Sequence, residues 1–276
     1  MKTLPALLLT TMLASSAFAT ETLTAAIPPG EQGARERLNS SPRHGEWIEV
    51  RAPETTTPIK SWVVYPERSE KAPVVIVIQE IYGLTDWIRS VADQLAADGF
   101  IAIAPDLLSG RGPGGGGTDA FADRDAVTKA VRELKPEFVN SALDAVRAHG
   151  LKLPAAAQKS ATVGYCWGGA ASFAYATHQP ELNAAVVYYG TSPESGYESI
   201  KAPVLGLYGG NDQRVNATIE PAQEKMKAGG KRYDVKVYEG AGHGFLRQQD
   251  GQNGANAKAA QQAWAETIRF LRENTK

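Results

Sequence analysis

Cys166 is the only cysteine in this 276-residue chain. One cysteine excludes an intramolecular disulfide, and with it the small disulfide-stapled folds. Histidine is scarce as well. The four are His44, His149, His178 and His243. None is spaced with another for ligation and no H-E-x-x-H occurs, so no metal site is expected. No lysine or arginine run is present and the formal net charge is -1. That balance argues against nucleic acid as a partner. A nucleotide cradle is missing too. The stretch SGRGPGGGGT at 109–118 lacks GK[ST] and the strand–GxGxxG–helix order. It reads as a flexible loop, and no cofactor is expected.

Long hydrophobic runs are also absent. Leu4 to Leu13 is the longest near the start, well short of the roughly 20 residues that span a bilayer. With Lys2 before it and Ala17-Phe18-Ala19 after it, the run has the pattern of a secretory signal peptide over residues 1–19. The expectation is a secreted, periplasmic monomer without membrane contact after cleavage. Residues 20–45 are polar, contain Pro28-Pro29-Gly30, and read as a loosely held lead-in. Residues 46–276 read as a single domain.

Hydrophobic residues are abundant, at 43%, enough to bury a large core. Residues 46–50 and 60–65 alternate as strands. Residues 73–78, PVVIVI, are apolar throughout, as in a strand buried on both faces. Further strands are expected at 100–104, 160–164, 182–189, 203–208 and 232–238. Helices are expected at 87–97, capped by Asp86, and at 125–134, 136–148, 169–178, 219–227 and 255–272. Strands alternating with helices predict an α/β fold with a mostly parallel sheet flanked by helices on both faces.

The lone cysteine lies in Gly164-Tyr165-Cys166-Trp167-Gly168, the cysteine form of G-x-C-x-G. In such an elbow a strand turns abruptly into a helix. The positions two before and two after the nucleophile then lie too close for side chains, so both favour glycine. The sulfur is thrust out at the carboxyl end of the sheet, at a helix N-terminus that favours thiolate. The elbow requires an acid and then a histidine later in the chain. Asp212 follows the strand at 203–208, and His243 follows the strand at 232–238. Alone, Asp212 reads as a turn residue and His243 as an exposed loop residue. Three such residue types in the right order, each past a strand end, point to a Cys-His-Asp catalytic set.

These segments, with Gln79-Glu80-Ile81-Tyr82-Gly83, Ala104-Pro105-Asp106-Leu107, Tyr188-Tyr189-Gly190 and Gly242-His243-Gly244-Phe245, resemble the dienelactone hydrolase family of α/β-hydrolases. The resemblance runs from about Trp47 to the last helix. It implies Cys166 as nucleophile, His243 as base and Asp212 as its orienting acid. It implies that Glu80 contacts the resting thiol and moves when substrate binds. The oxyanion hole would be the backbone N–H groups of Ile81 and Trp167. Arg247 stands at the spacing of a substrate-carboxylate arginine, and Arg111 stands one residue off a second. Tyr188 matches a pocket tyrosine, with core packing as the alternative. The implied substrate is a small-molecule ester or lactone of dienelactone type, cleaved through a thioester. The alternatives are a broad esterase or thioesterase on the same site, and a thiol redox or ligand-binding protein.

Overall fold

The structure, a computed structural model, describes residues 26–53 and 55–276. The signal-peptide reading of residues 1–19 lies outside them. In chain order the elements are α1 (Ala34–Ser40), β1 (Gly45–Val50), β2 (Ile59–Val64), β3 (Ala72–Ile78), α2 (Asp86–Ala97), β4 (Ile101–Pro105), α3 (Arg124–Arg132) and α4 (Pro136–Lys152). They continue as β5 (Ala156–Tyr165), α5 (Trp167–His178), β6 (Ala184–Tyr188), β7 (Val204–Gly209), α6 (Gln213–Asn216), α7 (Ile219–Ala228), β8 (Tyr233–Tyr238) and α8 (Ala255–Asn274).

The apolar β3 lies inside an eight-stranded sheet of order β1-β2-β4-β3-β5-β6-β7-β8. The pairs β1–β2 and β2–β4 are antiparallel, and every pair from β4 to β8 is parallel. Alternate side chains of β3 serve opposite faces. Val74, Ile76 and Ile78 pack in the core with α4, α5 and α7. Val75 and Val77 pack in the core with α2 and α8. The chain leaves β3 towards β4 on one side and returns with β5 on the other. The crevice between the carboxyl ends of β3 and β5 is therefore the topological switch point, where such sheets bind ligands.

Three local readings differ from the structure. Thr85, not Asp86, caps α2: its hydroxyl accepts Ile88 N–H at 3.4 Å. Asp86 instead takes Arg35 at 3.1 Å and Arg89. Helix α4 runs on through Gly150 to Lys152. That glycine is a packing residue, because a Cβ there would lie 2.8 Å from both Ile103 and Val74. The glycine loop is anchored at its end, where Thr118 donates from N and Oγ1 to Asp106 at 2.8 and 2.7 Å.

The lead-in is not loosely held over its described part. Trp87 Nε1 donates to Pro29 O at 3.0 Å, Gln249 Nε2 to Pro28 O at 2.8 Å, and Glu31 N to Arg247 O at 2.9 Å. Beyond α1, Arg43 forks onto Asp93 at 2.9 and 2.6 Å, and the Asp93 side chain is 3% exposed. Removing one partner of such a buried bidentate pair strands the other. Asp93→Ala should lower the unfolding free energy by about 3 kcal/mol, as read by urea denaturation at neutral pH.

Candidate active site

Strand β5 delivers Cys166 at φ 55° and ψ -115°, and α5 starts at the next residue. The elbow glycines are sterically required. A Cβ on Gly164 would sit 1.8 Å from Gly168 O, and one on Gly168 would sit 2.3 Å from Gln79 O. Cys166 N donates to Tyr188 O at 3.0 Å, and Ala170 N donates to Cys166 O at 3.1 Å. The strained residue is thus bonded on one side to the neighbouring strand end and on the other to the first turn of α5.

The loops after β7 and β8 are stitched together. Gly210 N donates to Tyr238 O at 2.8 Å, and Asn211 N to Ala241 O at 2.9 Å. Asn256, buried at the start of α8, accepts Gly242 N–H at 2.9 Å. These bonds bring Asp212 Oδ2 to 2.5 Å from His243 Nδ1, and His243 Nε2 to 3.1 Å from Cys166 Sγ. A carboxylate accepts from Nδ1–H, so the proton sits on Nδ1 and Nε2 presents its lone pair to the thiol.

Burial pushes the Cys166 thiol up to about 11, and the nearby Glu80 carboxylate pushes the same way. Opposing them are the backbone N–H groups of Trp167 and Ile81, both bonded to the sulfur, and the charge of Arg214. Glu80 is 3% exposed. Burial raises its carboxyl to about 7 against the pull of Arg247. The expected contact of Glu80 with the resting thiol is not made. Arg247 holds it instead, with Nε 2.7 Å from Glu80 Oε2 and Nη1 2.5 Å from Glu31 Oε2. Arg124 also pairs with Glu31, and the Arg247 guanidinium lies 5.2 Å from the centre of the Tyr82 ring.

A pocket of 540 Å³ opens over the sulfur, walled by Ile81, Trp167, Tyr189, Thr191, Arg132 and Arg214. The proposed carboxylate arginines do not line it. Arg247 is buried between Glu80 and Glu31. Arg111 lies 4.0 Å over the Phe138 ring, in a separate depression beside Thr57 and Ser109. Tyr188 also departs from the pocket reading: it is fully buried, and its hydroxyl is 2.7 Å from Thr267 Oγ1. Tyr189 is equally buried but borders the pocket, in a left-handed conformation at φ 39° with its ring 5.2 Å from that of His243. Sequence reasoning missed Tyr189, Arg132, Arg214, Asn256 and Glu31. Tyr189 lies inside the segment Tyr188-Tyr189-Gly190 and Arg214 two residues past Asp212, which was the available signal for them, and no signal marked the others. A larger depression of 730 Å³, bordered by Asp144, His149 and His178, contains none of the Cys166 constellation.

A mostly parallel sheet, an elbow on an inner strand, and acid and histidine loops on the same rim define an α/β-hydrolase. The sequence pattern of the dienelactone hydrolase family matches residues 59–275. A carboxymethylenebutenolidase-like protein of Salmonella typhimurium is 32% identical over 220 residues, covering 75% of this chain and 79% of the relative. Its counterpart in Escherichia coli is 31% identical over 222 residues, covering 75% and 80%. The crystal structure of a dienelactone hydrolase-like protein from Klebsiella pneumoniae superposes with a TM-score of 0.73 at 27% identity, covering 83% of this chain and 98% of that one. The chain belongs to the dienelactone hydrolase family and is a carboxymethylenebutenolidase-like carboxylic ester hydrolase.

Proposed function

We propose that this hydrolase cleaves a small ester or lactone through a thioester on Cys166, and that it works after export. The observation that carries the mechanism is the unbroken line from Asp212 to His243 to Cys166, at 2.5 and 3.1 Å. His243 Nε2 takes the thiol proton as sulfur attacks the carbonyl carbon. The oxyanion is received by the N–H groups of Ile81 and Trp167, which already point at the sulfur. The C–O bond breaks, and the leaving oxygen takes the proton back from His243. Water then attacks the thioester with His243 as base, releasing the acid and restoring the thiol. Export is supported by Lys2, the run Leu4 to Leu13 and Ala17-Phe18-Ala19.

A thiol held near 11 stays protonated until His243 and substrate act together. That suits on-demand nucleophilic catalysis and argues against a redox role, which needs standing thiolate. The broader-esterase reading is favoured over dienelactone itself by one observation: Arg247 is already engaged by two carboxylates. The deciding experiment is mass analysis of the protein quenched during turnover of an activated ester. A mass increase equal to the acyl group, located on Cys166, supports the thioester. Turnover with no adduct, and unchanged turnover in Cys166→Ala, would remove it.

The pH dependence has a definite sign. Above about pH 7, Glu80 is ionised and its charge opposes thiolate formation. Glu80→Gln removes that anion and should move the midpoint of Cys166 alkylation by iodoacetamide down from about 11. Below pH 7 the variant and the parent should react more nearly alike. An upward shift in Glu80→Gln would contradict this electrostatic account.

A further inference from the structure

A second cavity, of 470 Å³, adjoins the one over the sulfur, and Trp167, Ala170 and Thr191 line both. Its floor is one face of α5, where Trp167, Ala170, Ala171, Ala174 and Thr177 follow at helical spacing. That face rises about 15 Å from Trp167 to Thr177. Leu134, Pro136 and Val139, around the start of α4, form one wall. The loop after β6 forms the other, and it follows α5 along its length. A Cβ on Gly190 would lie 2.3 Å from Ala170 N, and one on Gly196 would lie 3.0 Å from Thr177 Cβ. The loop is held in place. Thr218 Oγ1 accepts Ser192 N–H at 3.0 Å, and Tyr197 and Lys225 donate to Pro193 O and Glu194 O at 2.6 and 2.8 Å. The cavity is thus a preformed groove. Among the described residues its one charged lining group is Glu194.

From this continuity we infer that the groove receives the acyl chain of the substrate, and that the enzyme prefers esters of extended, uncharged, apolar acids. The inference rests on the proposed acylation of Cys166. The direction of the chain follows from the proton. The leaving oxygen must be reached by His243, and His243 does not line the groove. The part of the substrate that stays on sulfur therefore has α5 as its path. Small side chains make the room: alanine at 170, 171 and 174 leaves open the space that a longer residue would take. Leu134, Pro136 and Val139 offer that chain an apolar wall, which favours its burial. A carboxylate at the chain tip would instead meet Glu194, a like charge.

The test is a chain-length series of 4-nitrophenyl esters, each below its micelle concentration. Octanoate should exceed acetate by about tenfold or more in kcat/KM, mainly through KM, because each buried methylene is worth about fourfold. Mono-4-nitrophenyl suberate, of the same length with a carboxylate tip, should fall below octanoate. Ala171→Leu and Ala174→Leu fill the groove, and each should lower the octanoate-to-acetate ratio about fivefold or more. Ala148→Leu adds the same bulk to α4 outside the groove and should leave the ratio as in the parent. Ethyl and octyl acetate carry the chain on the leaving group and should show no such gain. A second readout needs no hydrolysis. Octyl methanethiosulfonate transfers its alkylthio group to Cys166, forming a mixed disulfide and releasing methanesulfinate. Its rate relative to the methyl reagent, normalised to the same ratio with glutathione, should be about tenfold in the parent and fall in Ala174→Leu. Turnover without acyl-length preference, a preference that survives both leucine variants, one confined to the alkyl acetates, or a suberate rate above that of octanoate overturns the groove assignment alone. No turnover of any ester, with the octyl bias present and lost in Ala174→Leu, overturns the hydrolytic reading and leaves the groove standing.

Discussion

Cys166→Ala is expected to lower turnover of activated esters by roughly 10⁴-fold or more while leaving the fold unchanged. The reason is local. The sulfur is the one atom bonded at once to His243 Nε2 and to the N–H groups of Ile81 and Trp167. Alanine keeps the β5–α5 elbow and removes the atom on which the acyl group would rest. Far-ultraviolet circular dichroism and the thermal midpoint should match the parent. Asp212→Asn should give a smaller but large loss, about 10³- to 10⁴-fold, because an amide can stabilise the wrong histidine tautomer. The carboxylate's 2.5 Å contact is with Nδ1, so its loss frees the proton to sit on Nε2, where it blocks proton uptake from sulfur. Steady-state rates of both variants, with acyl-enzyme mass analysis, check the assignment. Near-parental rates in Cys166→Ala would sink it.

Gly164→Ala should be the most damaging single methyl addition at the site. Its Cβ would lie 1.8 Å from Gly168 O. The obstacle is backbone in the first turn of α5, and that turn has no room to retreat towards β3, because a Cβ on Gly168 would already lie 2.3 Å from Gln79 O. Neither neighbour is a flexible side-chain end, so the elbow must open. A cost of about 4 kcal/mol or more is expected, a large part of the ~5–15 kcal/mol stability of an ordinary domain. Gly114→Ala is the instructive comparison. Its φ is +66° but nothing lies within 4 Å of the added Cβ, so only left-handed strain of about 1–2 kcal/mol applies. Urea denaturation of the two variants should separate crowding from backbone strain. Equal losses would show that the elbow relaxes more easily than its geometry implies.

The α/β alternation was legible because buried parallel strands leave a strong mark. Segments such as PVVIVI at 73–78 have no polar position to spare. The grouping of Cys166, Asp212 and His243 was legible because each requirement is local: glycines two residues either side of Cys166, a strand end before Asp212, another before His243. Sheet order then brings the three loops to one rim. Helix ends were read less well. A glycine such as Gly150 can stop a helix or pack it against a sheet, and only Val74 and Ile103 decide which.

Residues acting through long-range partners left no such mark. Glu31 lies 216 positions from Arg247, yet their contact decides whether that arginine is open to a substrate. Tyr188 and Tyr189 are neighbours in sequence. One turns its hydroxyl to Thr267 in the core and the other lines the pocket, because the backbone changes hand at φ 39° between strand and loop. Chain order and side-chain period therefore determined the architecture and the meeting of Cys166, Asp212 and His243, since both are written in near-neighbour sterics and burial. Charge pairing and pocket lining were decided only in three dimensions. An ionised side chain takes its partner from whatever distant segment folding places beside it, and spacing along the chain carries no record of that.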